Sequence, residues 1–265
     1  MRTEAAVRLD VLADTAALLV RQVRNLVRQR VFVVLLVVQP LFWLVLYGEL
    51  FERVTTAPGF GADSYTQFLI PGVAIMTAFM DAVWSGMSMV EDVDRGIIER
   101  FLASSVTRGA IVAGHILRAG LIAAMQAAVI LVVGIALGGS VHGGAPGWAV
   151  VLVAAFLVAA IFAGISSGIA LLTRRQEPMA AMTNFVALPL VFFSSALISV
   201  PLMPEWMRSV ARFNPVEWGV VCAREVVEQG AEWGRVAAYL ALMAAASLAT
   251  WAFATACFRV YRRSF

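Results

Sequence analysis

Between Arg118 and Arg174 the chain runs for 55 residues without an aspartate, glutamate, lysine or arginine. A helix crossing a bilayer needs about 20 apolar residues, so this interval holds two crossings, joined by an uncharged Gly-rich turn at 139–147. Residues 178–204 and 236–258 are equally free of charge, and each has room for one more. The chain is 61% hydrophobic and 14% charged, with a mean hydropathy of +0.85. Soluble domains run near 45–50% and about 25%, so the sequence reads as a polytopic, all-α membrane protein.

Hydropathy and flanking charge predict six transmembrane helices, at about 31–50, 68–90, 112–138, 148–173, 179–200 and 236–258. His115 and Arg118 fall at the entrance of the third, where a long arginine side chain can snorkel to the interface. Pro40 and Pro189 predict kinks in the first and fifth, which a bundle tolerates. An even number of spans puts both termini on one side. Fifteen of the 20 arginines fall there, including Arg95, Arg118, Arg174 and Arg175, against Arg53, Arg208, Arg212, Arg224 and Arg235 on the other. The positive-inside rule places that side, and both termini, in the cytoplasm, with the protein in the cytoplasmic membrane. The first 30 residues mix acids with arginines and lack a clean apolar core, so no removable signal peptide is expected.

All 20 basic residues are arginine. A Walker A phosphate loop needs a lysine to reach the β/γ-phosphates, so any ATP that drives this chain is bound by another subunit. The two histidines, His115 and His142, are separated by the membrane, which leaves no histidine pair for a metal. Cys222 and Cys257 have no ligand or pairing spacing. The high pI is explained by topology and gives no reason to expect nucleic acid. Gly164-Ile165-Ser166-Ser167-Gly168 matches the nucleophile pattern of hydrolases, but that pattern needs a strand-to-helix elbow with a histidine and an acid. Inside an unbroken apolar helix it reads as a small-residue surface for close helix packing.

Three connecting segments have their own character. Residues 7–29 predict an amphipathic interfacial helix: Asp10, Asp14, Arg21, Arg24 and Arg28 share an arc of roughly 80°, opposite Leu12, Leu19, Val23 and Leu26. The helix either anchors the topology or touches a cytoplasmic partner. Residues 94–108 predict a cytoplasmic helix with Ile97, Ile98, Phe101 and Leu102 on one face, suited to a groove on another protein or to packing on headgroups. Residues 201–235, with Pro201, Pro204, Trp206, Met207, Phe213, Pro215 and Trp218, predict two short re-entrant outer helices before the last span.

Two groups inside the spans suggest a cargo path. Asp81 is the carboxylate deep in a span, where insertion costs about 2.5–3.5 kcal/mol and ionisable groups face bundle interiors or water paths. Thr77, Trp84, Ser85 and Ser88 share its face. The stripe either lines a translocation path and attracts a cationic cargo, or is an interhelical hydrogen-bond cluster. Asn184, Phe192, Phe193 and Ser194 on the fifth span offer aromatic rings beside polar groups, which suit an amphiphilic guest or plain lipid and packing contacts.

Four motifs then converge. Phe68-Leu69-Ile70-Pro71-Gly72 opens the second span. Arg95-Gly96-Ile97-Ile98-Glu99-Arg100-Phe101-Leu102, followed by Arg108, forms the cytoplasmic segment. Phe193-Ser194-Ser195 precedes Pro201, Pro204 and Trp206, and Phe213-Asn214-Pro215-Val216 precedes the last span. In order and spacing the chain resembles ABC-2 type transporter permeases, in particular the daunorubicin-resistance type, over nearly its whole length as one transmembrane domain, 1–265. It departs at Ser194-Ser195-Ala196, where many members carry Ser-Gly. The resemblance implies a non-catalytic permease that pairs with a second copy or a sister permease. It also implies docking on a cytoplasmic ATP-binding subunit, which carries the ATP and Mg, while this chain binds no cofactor. Arg95, Ile98, Glu99, Arg100, Phe101 and Leu102 would be the ATPase-coupling residues, and Thr77, Asp81, Trp84, Ser85, Asn184, Phe192 and Phe193 the substrate pathway. The cargo expected is an amphiphilic small molecule, a drug or lipid-like metabolite. Export of a lipid-linked or polysaccharide product is the alternative within the class. A membrane-embedded lipid-modifying enzyme and a passive channel are the alternatives outside it.

Overall fold

A computed structural model describes residues 30–50, 65–98, 108–228 and 231–263. The amphipathic segment at 7–29 and the residues Glu99, Arg100, Phe101 and Leu102 lie outside the described residues. The helices are α1 (Arg30–Leu50), α2 (Tyr65–Trp84), α3 (Gly86–Asp94), α4 (Arg108–Ala136) and α5 (Gly144–Thr173). They continue with α6 (Gln176–Phe192), α7 (Glu205–Ala211), α8 (Pro215–Val227) and α9 (Trp233–Arg263). No strand occurs among the described residues.

Among the described residues four stretches are long and apolar enough to cross a membrane: Tyr65–Asp94, Gly109–Ala136, Gly144–Thr173 and Trp233–Phe258. The helix at the predicted fifth span is shorter than the predicted 179–200, because α6 stops at Phe192 after 17 residues. At 1.5 Å per residue that is about 26 Å, less than the roughly 30 Å hydrocarbon core. Where 201–235 predicted two short helices, α7 and α8 occur.

Helix α5 is the hub, against which α2, α3, α4, α8 and α9 pack. Its buried surface is rich in small residues, including Ala154, Ala155, Ala159, Ala163, Gly164, Ser166, Ser167 and Gly168. Lipid tails give helices no hydrophobic reason to associate, so close van der Waals contact must supply the attraction, and small residues permit it. A Cβ added at Gly164 would meet Thr250 Oγ1 at 2.7 Å, and one at Gly168 would meet Phe253 Cε1 at 2.5 Å. The Gly164–Gly168 run is therefore the seam with α9, inside an uninterrupted helix. On another side of α5, Phe162 meets Phe79 of α2 edge-on, with centroids 4.5 Å apart.

The predicted second span, 68–90, starts earlier and is broken. Helix α2 begins at Tyr65, and a turn at Ser85 separates Trp84 from α3. The break has a local cause. Ser85 Oγ donates to Ala82 O at 2.6 Å and Ser88 Oγ to Ser85 O at 2.7 Å, back-bonding that bends helices. Across the break sits Ser166 of α5. Its hydroxyl donates to Val83 O at 2.5 Å and accepts from Gly86 N at 3.0 Å. A side chain inserted into the ladder is a recognised cause of a kink, and here the same atom pairs both backbone groups that the kink leaves open. Ser166 thus has a structural role that fits neither a nucleophile nor its elbow.

The turn between α4 and α5 is tighter than the predicted 139–147, because α5 already begins at Gly144. Gly138 and Gly144 take φ of 96° and 57°, a region open to glycine at no steric cost. The turn caps α8: Gly143 N donates to Val226 O at 2.9 Å, and His142 Nδ1 lies 2.9 Å from Val227 O. At the far end of α5, Arg174 (φ 54°) reverses the chain into α6.

Candidate functional site

A cavity of about 640 Å³ runs between α1, α2, α3, α4 and α6. Trp43 and Tyr47 of α1 form one wall, their rings stacked with centroids 5.2 Å apart. Helix α2 contributes Thr77, Asp81 and Trp84, followed by Ser85, and α4 contributes His115, Arg118 and Gln126. Leu188, Val191 and Phe192 of α6 close the apolar side. His115 to Gln126 is eleven residues of one helix, so the cavity follows α4 for about 16 Å.

The pathway residues expected from sequence divide here. Thr77, Asp81, Trp84, Ser85 and Phe192 all line the cavity. Asn184 does not: it is exposed, one turn before the lining residue Leu188 on the same face of α6. Phe193 also points elsewhere, packing edge-on against Trp206 of α7 with centroids 5.8 Å apart. Gln126 was not anticipated from sequence, although it lies in the long charge-free interval. It donates from Nε2 to Asp81 Oδ2 at 2.6 Å.

At the arginine-rich end, α3 stops at Asp94. Arg95 pairs with Glu91 at 3.2 Å, its side chain two-thirds exposed. Gly96 turns the chain with φ 64°, and helix resumes at Ile97. Ile98, expected on the docking face, is instead fully buried in the core, so it anchors the start of that helix. Asp92 reaches across to His115, with Oδ2 and Nε2 3.2 Å apart. The foot of the cavity is thus tied to the segment that leads into Glu99–Leu102.

The opposite end brings three of the four sequence motifs together. Gly72 of α2 lies directly under the carbonyl of Ala196, where a Cβ would overlap it. Asn214 is 2% exposed and makes three bonds. It accepts from Val216 N at 3.0 Å, capping α8, and donates from Nδ2 to Leu190 O at 2.7 Å and Phe193 O at 2.9 Å. Those last two carbonyls belong to the end of α6, where no intrahelical donor remains. Ser195 is held on all sides. Its N–H donates to Glu217 Oε2 at 2.5 Å, while Arg224 donates to its Oγ at 3.0 Å and its carbonyl at 2.8 Å. The Arg224 guanidinium also covers the Phe68 ring, 4.0 Å from its centroid. Burial lowers the Arg224 pKa to about 10, although the nearby Glu217 and Glu228 act to raise it. The sequence reading counts Arg224 only as an outer-side charge and does not single out Glu217; the fold makes them the clasp between α8, α2 and the 193–199 loop.

Comparison with known proteins matches the same regions. The model of the ABC-2 type transporter family matches residues 13–227. The daunorubicin resistance ABC transporter permease protein DrrB1 of Streptomyces coeruleorubidus is 29% identical over 234 residues, covering 86% of this chain and 78% of that one. The transport permease ycf38 of Cyanophora paradoxa is 27% identical over 188 residues, 69% of this chain and 63% of its own, so the match spans somewhat less than two thirds of that relative. The linearmycin resistance permease protein LnrN of Bacillus subtilis (strain 168) is 28% identical over 160 residues, 60% of this chain and 41% of the relative. The matched stretch takes in the cavity, the helix break and the Ser195 clasp, and with it this multi-pass membrane chain belongs to the ABC-2 type transporter family.

Proposed function

We propose that this chain is the permease subunit of an ATP-driven exporter. It moves an amphiphilic small molecule, a drug or lipid-like metabolite, outward across the cytoplasmic membrane. The observation that carries this reading is the cavity. Its 640 Å³ falls within the roughly 300–1,000 Å³ typical of small-molecule sites, and it joins aromatic walls to a few convergent polar groups. A chain without lysine cannot form a Walker A site, so the motor is a separate cytoplasmic ATP-binding subunit carrying ATP and Mg. The relatives' names, with drug resistance and transport permease among them, support the cargo class and the export direction.

In this reading α1 and α6 complete six spans, both termini are cytoplasmic, and α7 and α8 are re-entrant from the outer side. Glu99, Arg100, Phe101 and Leu102, with Arg95 beside them, contact the ATPase, and Ile98 holds that helix to the bundle. Closure of the ATPase pushes this segment, and the Asp92–His115 contact carries the push to α4 and the foot of the cavity. The permease acts as a pair, with a second copy or a sister permease. Purifying the tagged chain from its own membranes in mild detergent tests the reading. A stoichiometric ATP-binding subunit is expected with wild type and is lost with Phe101→Ala plus Leu102→Ala. Recovery of the wild-type chain alone, at every detergent strength, would remove the motor and favour a passive channel.

A further inference from the structure

We propose that Asp81 and Gln126 form the head-group subsite of the cavity and that it takes a protonated amine. The inference rests on the cavity being the cargo site. Gln126 is 4% exposed, and one end of its amide is committed to Asp81 Oδ2. The other end, Oε1, is buried and has no hydrogen-bond partner. A buried acceptor left unpaired is costly, and in a native structure it calls for an explanation. Here the residue lines the cavity beside a carboxylate.

The neighbouring hydroxyls do not meet the need. Thr77 Oγ1 lies 2.9 Å from Val73 O and 3.1 Å from Ala74 O, and donates back into its own helix. Ser85 and Ser88 donate to Ala82 O and Ser85 O. Asp81 and Gln126 Oε1 are both acceptors, which suits a ligand that brings donors. The carboxylate charge selects a cation, and an ammonium carries three N–H donors on a compact centre. Trp84 and the stacked Trp43–Tyr47 pair flank the same space, and aromatic faces attract such a cation. Leu188 and Phe192 receive its apolar body.

The other charges leave this arrangement intact. Among the described lining residues Asp81 is the only carboxylate. Arg118 lies eight residues before Gln126 on α4, about 12 Å away along the helix. Asp92 is the residue that holds His115. Gln126 has a second part to play: by donating to one carboxylate oxygen it fixes the direction of the other, and so positions the amine.

The test uses the permease, with the subunits that purify with it, in lipid nanodiscs. The probe is monodansylcadaverine, a fluorescent amphiphile with one primary amine, compared with its uncharged N-acetyl derivative. Wild type is expected to bind the amine about 10-fold more tightly. Asp81→Asn and Gln126→Leu are each expected to abolish that preference by weakening binding of the amine. Should Asp81→Asn fail to purify, Gln126→Leu, which keeps size and adds no charge, carries the test alone. Equal binding of the two probes by wild type, or a preference that survives these substitutions, overturns the subsite and leaves the cavity as a cargo site. Binding of neither probe overturns both readings.

Discussion

Asn214 offers the sharpest quantitative test of how the opposite end is held. Its side chain accepts from Val216 N and donates to Leu190 O and Phe193 O, so one amide caps the start of α8 and the end of α6 together. Replacing an N-cap asparagine by alanine costs about 1 kcal/mol. Each buried carbonyl that loses its donor adds about 1 kcal/mol. Asn214→Ala should therefore destabilise the fold by about 3 kcal/mol, roughly 150-fold in the unfolding equilibrium. Asn214→Asp separates the two roles. It keeps the acceptor that caps α8 but turns a carboxylate toward two carbonyl oxygens, so it should cost at least about 2 kcal/mol despite the retained cap. Reversible unfolding in mixed detergent micelles, followed by tryptophan fluorescence, reads both values. If Asn214→Asp is as stable as wild type, the cap alone accounts for Asn214 and the bridge to α6 carries no energy.

Two other substitutions probe the contacts nearest the cavity and the clasp. Gly72→Ala places a methyl on the Ala196 carbonyl, which should cost about 1–3 kcal/mol as the loop is forced away; unchanged unfolding would mean the loop does not rest on α2. Ser166→Ala leaves Val83 O and Gly86 N without their shared partner, for an expected loss of about 1–3 kcal/mol. Wild type should also remain unlabelled by a fluorophosphonate, whereas serine-specific labelling at Ser166 would restore the hydrolase reading.

The long spans were legible because charge is excluded from lipid at a cost no local propensity can offset. That single rule located α4 and α5 within the interval after Arg118, and α9 near the end. What it could not reveal depends on contacts between distant residues. The break at Ser85 interrupts a stretch whose apolar pattern continues smoothly, because its cause is a hydroxyl eighty residues away in sequence, Ser166. Helix α8 falls in a segment expected to hold short outer helices, but the burial of its charges Glu217 and Arg224 was not legible. They are accommodated by the backbone and hydroxyl of Ser195, a pairing no local pattern announces. Asp81 stood out as an ionisable residue in an apolar helix, but its partner did not. Gln126 carries no charge, and an uncharged amide barely changes the hydropathy of α4. Asn184 shares a face of α6 with the lining residues Leu188 and Val191 but lies a turn short of them, and Phe193 follows the helix end and packs on Trp206, distinctions that spacing in the sequence does not make.

The clasp on Ser195 has a mechanical corollary. Glu217 and Arg224 are seven residues apart on α8, about 10 Å along its axis, and both grip the same residue of the loop. A slide of α8 past the loop by one helical step, about 1.5 Å, would disturb all three bonds at once. Gradual shear is thereby suppressed. The loop and this part of α8 are coupled to travel as one block, so a displacement of either is passed to the other.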